Sequence, residues 1–243
     1  MSPAKEGLEE ARNNNLLLAL HKYAHQQDEN FTTEAFVHLL RHLRSFEPGI
    51  ACFLLDFLSG GQLRVTAEDC SELEISTQNS FMEGRPDILV ASPAHFVIIE
   101  VKVESEPGWD QLDRYRELLA TRAEPHKCLV LLSRYPVDPQ DRKKVDSWIQ
   151  WHRVARVLAQ AFEQTYESTS KFLIDQFVQF LTERGMAMEK VGWELTRGIQ
   201  SMLSLMEMVG EAVRAARVRE KPPTAGIEFN GRYFFVDETL CWS

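Results

Sequence analysis

The segment with the clearest chemical potential is GRPDILVASPAHFVIIEVKVES, residues 84–105. Asp87 begins one apolar run, and thirteen residues later Glu100, followed by Lys102, interrupts a second one. A charge within a hydrophobic strand is costly unless it is paired or binds a metal ion. We therefore interpret these three charged residues together, as one candidate site.

Glu100 and Lys102 are two residues apart, so on a strand they share a face. A turn around residues 92–95 would bring Asp87 near Glu100. Two converging carboxylates suit Mg²⁺ or Mn²⁺, and the backbone carbonyl of Val101 can add a third oxygen ligand. Such a metal lowers the pKa of bound water and neutralises charge, which favours phosphodiester hydrolysis, with Lys102 orienting the water or stabilising negative charge.

Each residue of this group also has a purely structural interpretation. Asp87 follows Pro86 and is typical of a turn or a strand entry. Glu100 and Lys102 are compatible with the solvated face of an edge strand. The chemical interpretation depends on the combination, in which the acid after proline, the hairpin spacing and the E-x-K sequence occur together.

A zinc site is the competing metal hypothesis. Glu34, His38 and His42 are spaced by four residues, which places them on one face of a helix. Two histidines at this spacing can bind zinc, but the H-E-x-x-H pattern of metalloproteases is absent and no third ligand is evident. Surface histidines, or partners that support the acidic cluster, are the favoured interpretation.

The sequence patterns around the candidate site predict an α/β fold with a mixed sheet. Hydrophobic periodicity predicts a helix in FTTEAFVHLLRHLRSF, capped by Thr32 or Thr33, and a second helix after Pro48. The pattern then predicts a strand in ELEISTQ, an antiparallel hairpin in DILVAS and FVIIEVKVE, a helix in GWDQLDRYRELLATR, and a buried strand in KCLVLLSRY.

The remainder of the chain is predicted to be mainly helical. WIQWHRVARVLAQAF and TSKFLIDQFVQFLTERG have helical periodicity, and residues 195–216 contain a heptad-like apolar seam. The seam predicts either packing on the protein's own core or a homodimer. Asn230-Gly231 predicts a terminal β-hairpin. We expect a core with N-terminal helices over 1–136, a helical extension over 137–220, and a linker with the hairpin over 221–243.

Composition limits the partners. The 243 residues have a formal net charge of −9, so nucleic-acid binding would depend on a local basic patch or on metal ions. The polar N-terminus and the short apolar runs predict neither a signal peptide nor a membrane span, and four widely spaced cysteines fit a cytoplasmic protein. The candidate phosphate-binding residues are Arg85, Arg114, Arg122, Lys127, Arg142, Lys143, Lys144, Arg153 and Arg156.

The residues PD at 86–87 and EVK at 100–102 resemble the signature of the PD-(D/E)XK nuclease superfamily. The resemblance covers residues 32–134 and implies a restriction-endonuclease-like αβββαβ core. It implies that Asp87 and Glu100 bind Mg²⁺ or Mn²⁺ and that Lys102 is the catalytic lysine. The segment around WIQWH looks like a bacterial branch of the same superfamily.

The resemblance extends to three further residues. Glu34 resembles the upstream acidic residue of the superfamily. Gln111 and Tyr115 resemble the Q-x-x-x-Y motif of one large subgroup, which implies that they contact nucleic acid or brace the site. An exposed amide and a core tyrosine are the alternative interpretation. The expected function is metal-dependent hydrolysis of nucleic acid, preferentially DNA; the alternative is a nuclease-fold module that binds protein or nucleic acid without strong catalysis.

Overall fold

The computed structural model describes residues 14–24, 27–63, 65–105, 107–108, 110–188, 201–202, 205–206, 208–210, 227–229 and 232–234. The chain divides into two compact units, Met1–Lys190 and Val191–Ser243. The predicted boundary at 136/137 lies within the first unit. No helix of the described ranges is both long enough and apolar enough to cross a membrane.

The first unit is an α/β structure. Its elements in chain order are α1 (Leu16–His21), α2 (Asp28–Phe46), α3 (Pro48–Leu58), α4 (Ala67–Glu72), β1 (Glu74–Thr77), β2 (Ile88–Ala91), β3 (His95–Lys102), α5 (Gln111–Thr121), β4 (His126–Ser133), α6 (Pro139–Lys144), β5 (Ser147–Gln150), α7 (Trp151–Gln164) and α8 (Ser168–Glu183).

The strands form one mixed sheet in the order β1-β2-β3-β4-β5. β1, β2 and β3 pair antiparallel, whereas β3, β4 and β5 pair parallel. The predicted hairpin between β2 and β3 is confirmed, and Ser92 and His95 close its turn with reciprocal backbone hydrogen bonds of 2.8 and 3.3 Å. β3 is therefore a central strand, and every one of its residues is buried.

The two faces of β3 pack against different layers. Val97, Ile99 and Val101 join a large apolar cluster with side chains of α2, α3, α7 and α8. Phe96 and Ile98 join a smaller cluster with α5. The predicted alternation is thus confirmed, and Glu100 and Lys102 extend the α5 face. Because both faces are covered, the solvated-edge interpretation of these two charges is wrong.

Two predicted element boundaries are corrected. α2 begins at Asp28, so Thr32 and Thr33 lie inside it, and the Thr32 hydroxyl donates to the Asp28 carbonyl at 2.7 Å. Residues 148–150, predicted to begin a helix, belong instead to β5, which spans Ser147–Gln150. Its backbone pairs with the otherwise open edge of β4, and this tertiary contact outweighs the local helical pattern.

The second unit contains the predicted terminal hairpin. Ile227–Phe229 (β6) and Arg232–Phe234 (β7) pair antiparallel on either side of Asn230-Gly231. Residues 201–202, 205–206 and 208–210 are helical, as predicted. Met202, Met206 and Val209 of the heptad-like seam are exposed, whereas Leu195, Ile199, Val213 and Ala216 lie outside the described residues.

Candidate functional site

Asp87 and Glu100 are brought together by the register of the β2–β3 hairpin. Ile88 pairs with Ile99, so the next antiparallel pair is Asp87 opposite Glu100, on one face of the sheet. Asp87 Oδ2 accepts a hydrogen bond of 2.8 Å from the backbone N–H of Val101. The short predicted turn therefore positions both acids at the carboxyl end of β3.

The backbone carbonyl of Val101 points from β3 toward β2, as the Val101 N–H does. In an antiparallel pair, the N–H and the C=O of one residue point toward the same neighbouring strand. Since the Val101 N–H points to Asp87, the Val101 carbonyl also points toward this side of β3. The carboxylates of Asp87 and Glu100 therefore share one face of the sheet, and the Val101 carbonyl points from β3 toward β2.

One carboxylate oxygen of Glu100 accepts hydrogen bonds, and the other accepts none. Its side chain is buried with 0% exposure. Glu100 Oε1 accepts from Lys102 Nζ at 2.5 Å and from Gln111 Nε2 at 2.6 Å. Glu100 Oε2 is buried without a hydrogen-bond partner among the described residues. A buried, unpartnered carboxylate oxygen is energetically costly and calls for a cation or a proton.

The electrostatics of the cluster add to this requirement for a cation or a proton. Burial, followed by the charge of Asp87, raises the pKa of Glu100 to about 8. Burial also raises the pKa of Asp87 above its usual value. Burial lowers the pKa of Lys102, but the charge and hydrogen bond of Glu100 outweigh it, so the net pKa is raised. The single Lys102 ammonium therefore offsets only part of the acidic charge.

The acid that α2 contributes is Glu29 and not the predicted Glu34. Glu29 Oε1 lies 3.4 Å from Lys102 Nζ, and Glu29 Oε2 accepts from Val103 N at 3.1 Å and from Ser105 Oγ at 2.9 Å. Glu34 is exposed, because five residues rotate the helix by about 140°. Sequence reasoning missed Glu29 because the predicted helix began after it; acids in the first turn were the available signal.

Gln111 and Tyr115 brace Glu100 from α5. The Gln111 amide donates to Glu100 Oε1 and to the Tyr115 hydroxyl, at 3.2 Å, and its carbonyl oxygen accepts from Gly108 N at 3.1 Å. Tyr115 is buried in the α5 cluster, and burial raises its pKa. Gln111 is therefore not a free exposed amide, while Tyr115 is both a core residue and a support for the site.

Most of the predicted phosphate-binding cations already have partners. Arg114 pairs with Asp110, Arg122 with Glu124 and Lys144 with Asp113, whereas Lys127 donates to the Arg122 carbonyl. Arg142 and Arg153 lie over the rings of Trp148 and Phe57. Arg85, Lys143 and Arg156 are exposed. Arg85 is the member of this set that lies closest in sequence to Asp87.

The histidines of the zinc hypothesis are not brought together. His38 is exposed, and His42 Nε2 contacts Ser170 Oγ at 2.9 Å and Glu167 Oε2 at 3.6 Å. Both contacts use the same nitrogen, and Ser170 is fully buried, so the trio does not form a relay to an accessible nucleophile. Within the described part of the chain, no group of three or more His, Cys, Asp or Glu side chains is arranged to hold a metal ion.

Comparisons with family models, with curated proteins and with solved structures found no significant match to this chain.

Proposed function

We propose that this protein is a metal-dependent nuclease of the PD-(D/E)XK type, with a restriction-endonuclease-like core, that hydrolyses phosphodiester bonds of DNA. The observation that carries the proposal is the buried, unpartnered Glu100 Oε2 beside Asp87. The site lies on the central strand of a sheet built in the order helix, three strands, helix, strand.

The donor set fits Mg²⁺ or Mn²⁺. Carboxylates of Asp87 and Glu100 with the Val101 carbonyl are hard oxygen donors, which both ions prefer. Three protein donors leave room for water and a phosphate oxygen in an octahedral shell. When bound, the ion would activate water and offset charge on the phosphate. It would also stabilise the ionised form of Glu100, whose pKa burial raises to about 8.

Lys102 is the residue positioned for the chemistry. Its ammonium lies between Glu100, at 2.5 Å, and Glu29, at 3.4 Å, on the face that carries Asp87. From this position it can donate a hydrogen bond to the attacking water or to a phosphate oxygen, where negative charge develops. Glu29 is a positioning residue, since it holds Lys102 and also fixes the backbone after β3 through Val103 N.

Gln111 and Tyr115 hold Glu100 in one orientation. The Gln111 hydrogen bond occupies Oε1, so the carboxylate presents its other oxygen, Oε2, to a ligand. Outer partners of this kind fix ligand direction and contribute to metal affinity. The amide and the phenol therefore contribute through Glu100 and not through direct contact with the reacting phosphate.

A non-catalytic nuclease-fold module is the second candidate. It is favoured by the close Lys102–Glu100 pair, because an ion pair of this geometry can stabilise the fold without any metal. It is also favoured by the partners found for Arg114, Arg122 and Lys144, which leave little free positive charge near α5.

One experiment separates the two candidates. The full chain is incubated with single-stranded and duplex DNA and RNA in Mg²⁺ or Mn²⁺, beside Lys102→Ala and Asp87→Asn. A nuclease gives metal-dependent products that both variants lose. Metal should raise the Tm of the wild type and of Lys102→Ala but not that of Asp87→Asn. Absence of cleavage on every substrate, with Tm unchanged by either metal, would favour the non-catalytic module.

A further inference from the structure

A closed turn between β1 and β2 presents an apolar side chain to solvent. The Phe81 N–H donates to the Gly84 carbonyl at 2.8 Å, and the Gly84 N–H donates back to the Phe81 carbonyl at 3.3 Å. Met82, at the tip of this turn, is 100% exposed. The reciprocal bonds fix the turn, so the exposure of Met82 is a property of a defined backbone conformation.

The base of the turn rests on the wall of the candidate site. The Phe81 ring packs edge-on against Phe96, with 6.1 Å between centroids. Gly84 has φ +148°, and a Cβ added there would lie 3.1 Å from Tyr115 Cε1. The turn therefore contacts the same Tyr115 whose hydroxyl accepts from Gln111, the partner of Glu100. The base of the turn is therefore held against the residues that support Glu100.

Arg85 follows the turn and is exposed. It has no ion pair among the described residues, in contrast to the paired Arg114 and Arg122. Arg85 is two residues before Asp87, so their Cα atoms are at most about 7 Å apart. Its guanidinium is therefore available to a phosphate beside the one held at the carboxylates.

We propose that Met82 and Arg85 contact double-stranded DNA, with Arg85 binding a backbone phosphate and Met82 inserted between base pairs from the minor groove. The inference rests on the proposed nuclease function and deepens it by naming the substrate as a duplex. Apolar wedges, methionine among them, unstack a base step in this way, and arginine binds phosphate. The turn then selects DNA that can be kinked close to the cleaved bond.

The side chain of Met82 at the tip of the turn favours duplex DNA over other partners. Single-strand binding relies on aromatic side chains that stack on bases, whereas the tip residue is Met82. A stable protein interface requires about 800 Å² from each partner, far more than one side chain offers. Met82 is five residues before Asp87, so the two Cα atoms are at most about 18 Å apart. This upper limit corresponds to at most about five base-pair steps of 3.4 Å.

The test uses the full-length Lys102→Ala variant, which is expected to bind metal and DNA without cleaving. Duplexes carry the fluorescent base 2-aminopurine at successive positions around the bond that the wild type cuts. The Lys102→Ala protein should increase the fluorescence of 2-aminopurine at one position within about five base pairs of that bond. Adding Met82→Ala should abolish the increase, and Met82→Leu should restore it. Adding Arg85→Gln should lower the slope of log K against log salt by about 0.9, as for one lost phosphate contact.

Two control substitutions lie on the opposite side of the sheet. Tyr166→Ala removes a side chain that is 95% exposed after α7, and Lys171→Gln removes a charge on α8. Neither should change the fluorescence or the salt slope. An unchanged signal in Met82→Ala, or equal binding of single-stranded DNA or duplex RNA, would reject this proposal while wild-type cleavage still supports the nuclease. A wild type that neither binds nor cleaves nucleic acid would reject both.

Discussion

Glu100→Gln is expected to change how the stability of the protein depends on pH. The Glu100 side chain is fully buried, and its pKa is raised from 4.5 to about 8 by burial and by Asp87. In the absence of metal, the folded state therefore holds a proton that the unfolded chain releases near pH 4.5. Glutamine has nearly the same shape and does not titrate, so this source of pH dependence disappears in the variant.

The sign follows from proton linkage. A carboxyl group whose pKa is raised in the folded state contributes most to the free energy of unfolding below the unfolded pKa of 4.5. This contribution falls as the pH rises to the folded pKa of about 8. The two values differ by about 3.5, which corresponds to about 5 kcal/mol at ~1.4 kcal/mol per pKa unit. The pKa of about 8 already includes the opposing effect of the Lys102 ammonium, which lies 2.5 Å from Glu100.

The assay is urea unfolding in EDTA at pH 5, 6, 7 and 8. The free energy of unfolding of the wild type should fall relative to Glu100→Gln by up to about 3.5 kcal/mol across this range, because pH 5 to 8 covers only part of the titration between the two pKa values. Mg²⁺ should restore stability to the wild type at pH 8 and should have a smaller effect on the variant, because the ion favours ionised Glu100.

Glu167→Gln provides a control of opposite sign. Backbone hydrogen bonds from Thr169, and then from Ser170, lower the pKa of Glu167 to about 2. The contribution of ionised Glu167 to the free energy of unfolding is present above the unfolded pKa of 4.5 and is lost only as the pH falls toward 2. The free energies of unfolding of wild type and Glu167→Gln should therefore differ by a constant amount between pH 5 and 8. If the Glu100→Gln difference is equally constant, the argument that burial and Asp87 destabilise the Glu100 carboxylate is wrong.

Three further substitutions test neighbouring parts of the argument. Lys102→Ala should lower cleavage by about 100-fold or more while the Mg²⁺-dependent rise in Tm persists; equal rates of wild type and variant would show that the lysine is structural. Gly84→Ala should lower the free energy of unfolding by about 1–3 kcal/mol, measured in urea, because φ +148° and the 3.1 Å approach to Tyr115 disfavour a Cβ. Glu29→Gln should lower kcat more than Glu34→Gln in a nuclease assay, and the reverse order would restore Glu34 as the α2 acid.

Local periodicity determined the part of the site that lies on the hairpin. The apolar runs on either side of SPAH, with residues alternating between two faces, were sufficient to predict β2, β3 and the shared face of Glu100 and Lys102. Asp87 opposite Glu100 then follows from the length of the turn. The Asn230-Gly231 hairpin was predictable for the same reason, because turn chemistry specifies its geometry within a few residues.

Only the tertiary structure decided the surroundings of these residues. Pairing with β4 makes β3 a central strand, and the α5 layer that covers one of its faces changes Glu100 and Lys102 from solvated charges to buried ones. Gln111 reaches Glu100 only because α5 packs over this face of the sheet.

The start of α2 and the identity of its acid were decided in the same way. Threonine capping predicted the helix from residue 32, but packing against β1 and α8 extends it back to Asp28 and brings Glu29 to Lys102. A capping preference is worth about 1 kcal/mol, so the burial of a helix face outweighs it. Sequence patterns therefore specified which charges belong to the hairpin, and packing between distant segments specified how those charges are paired.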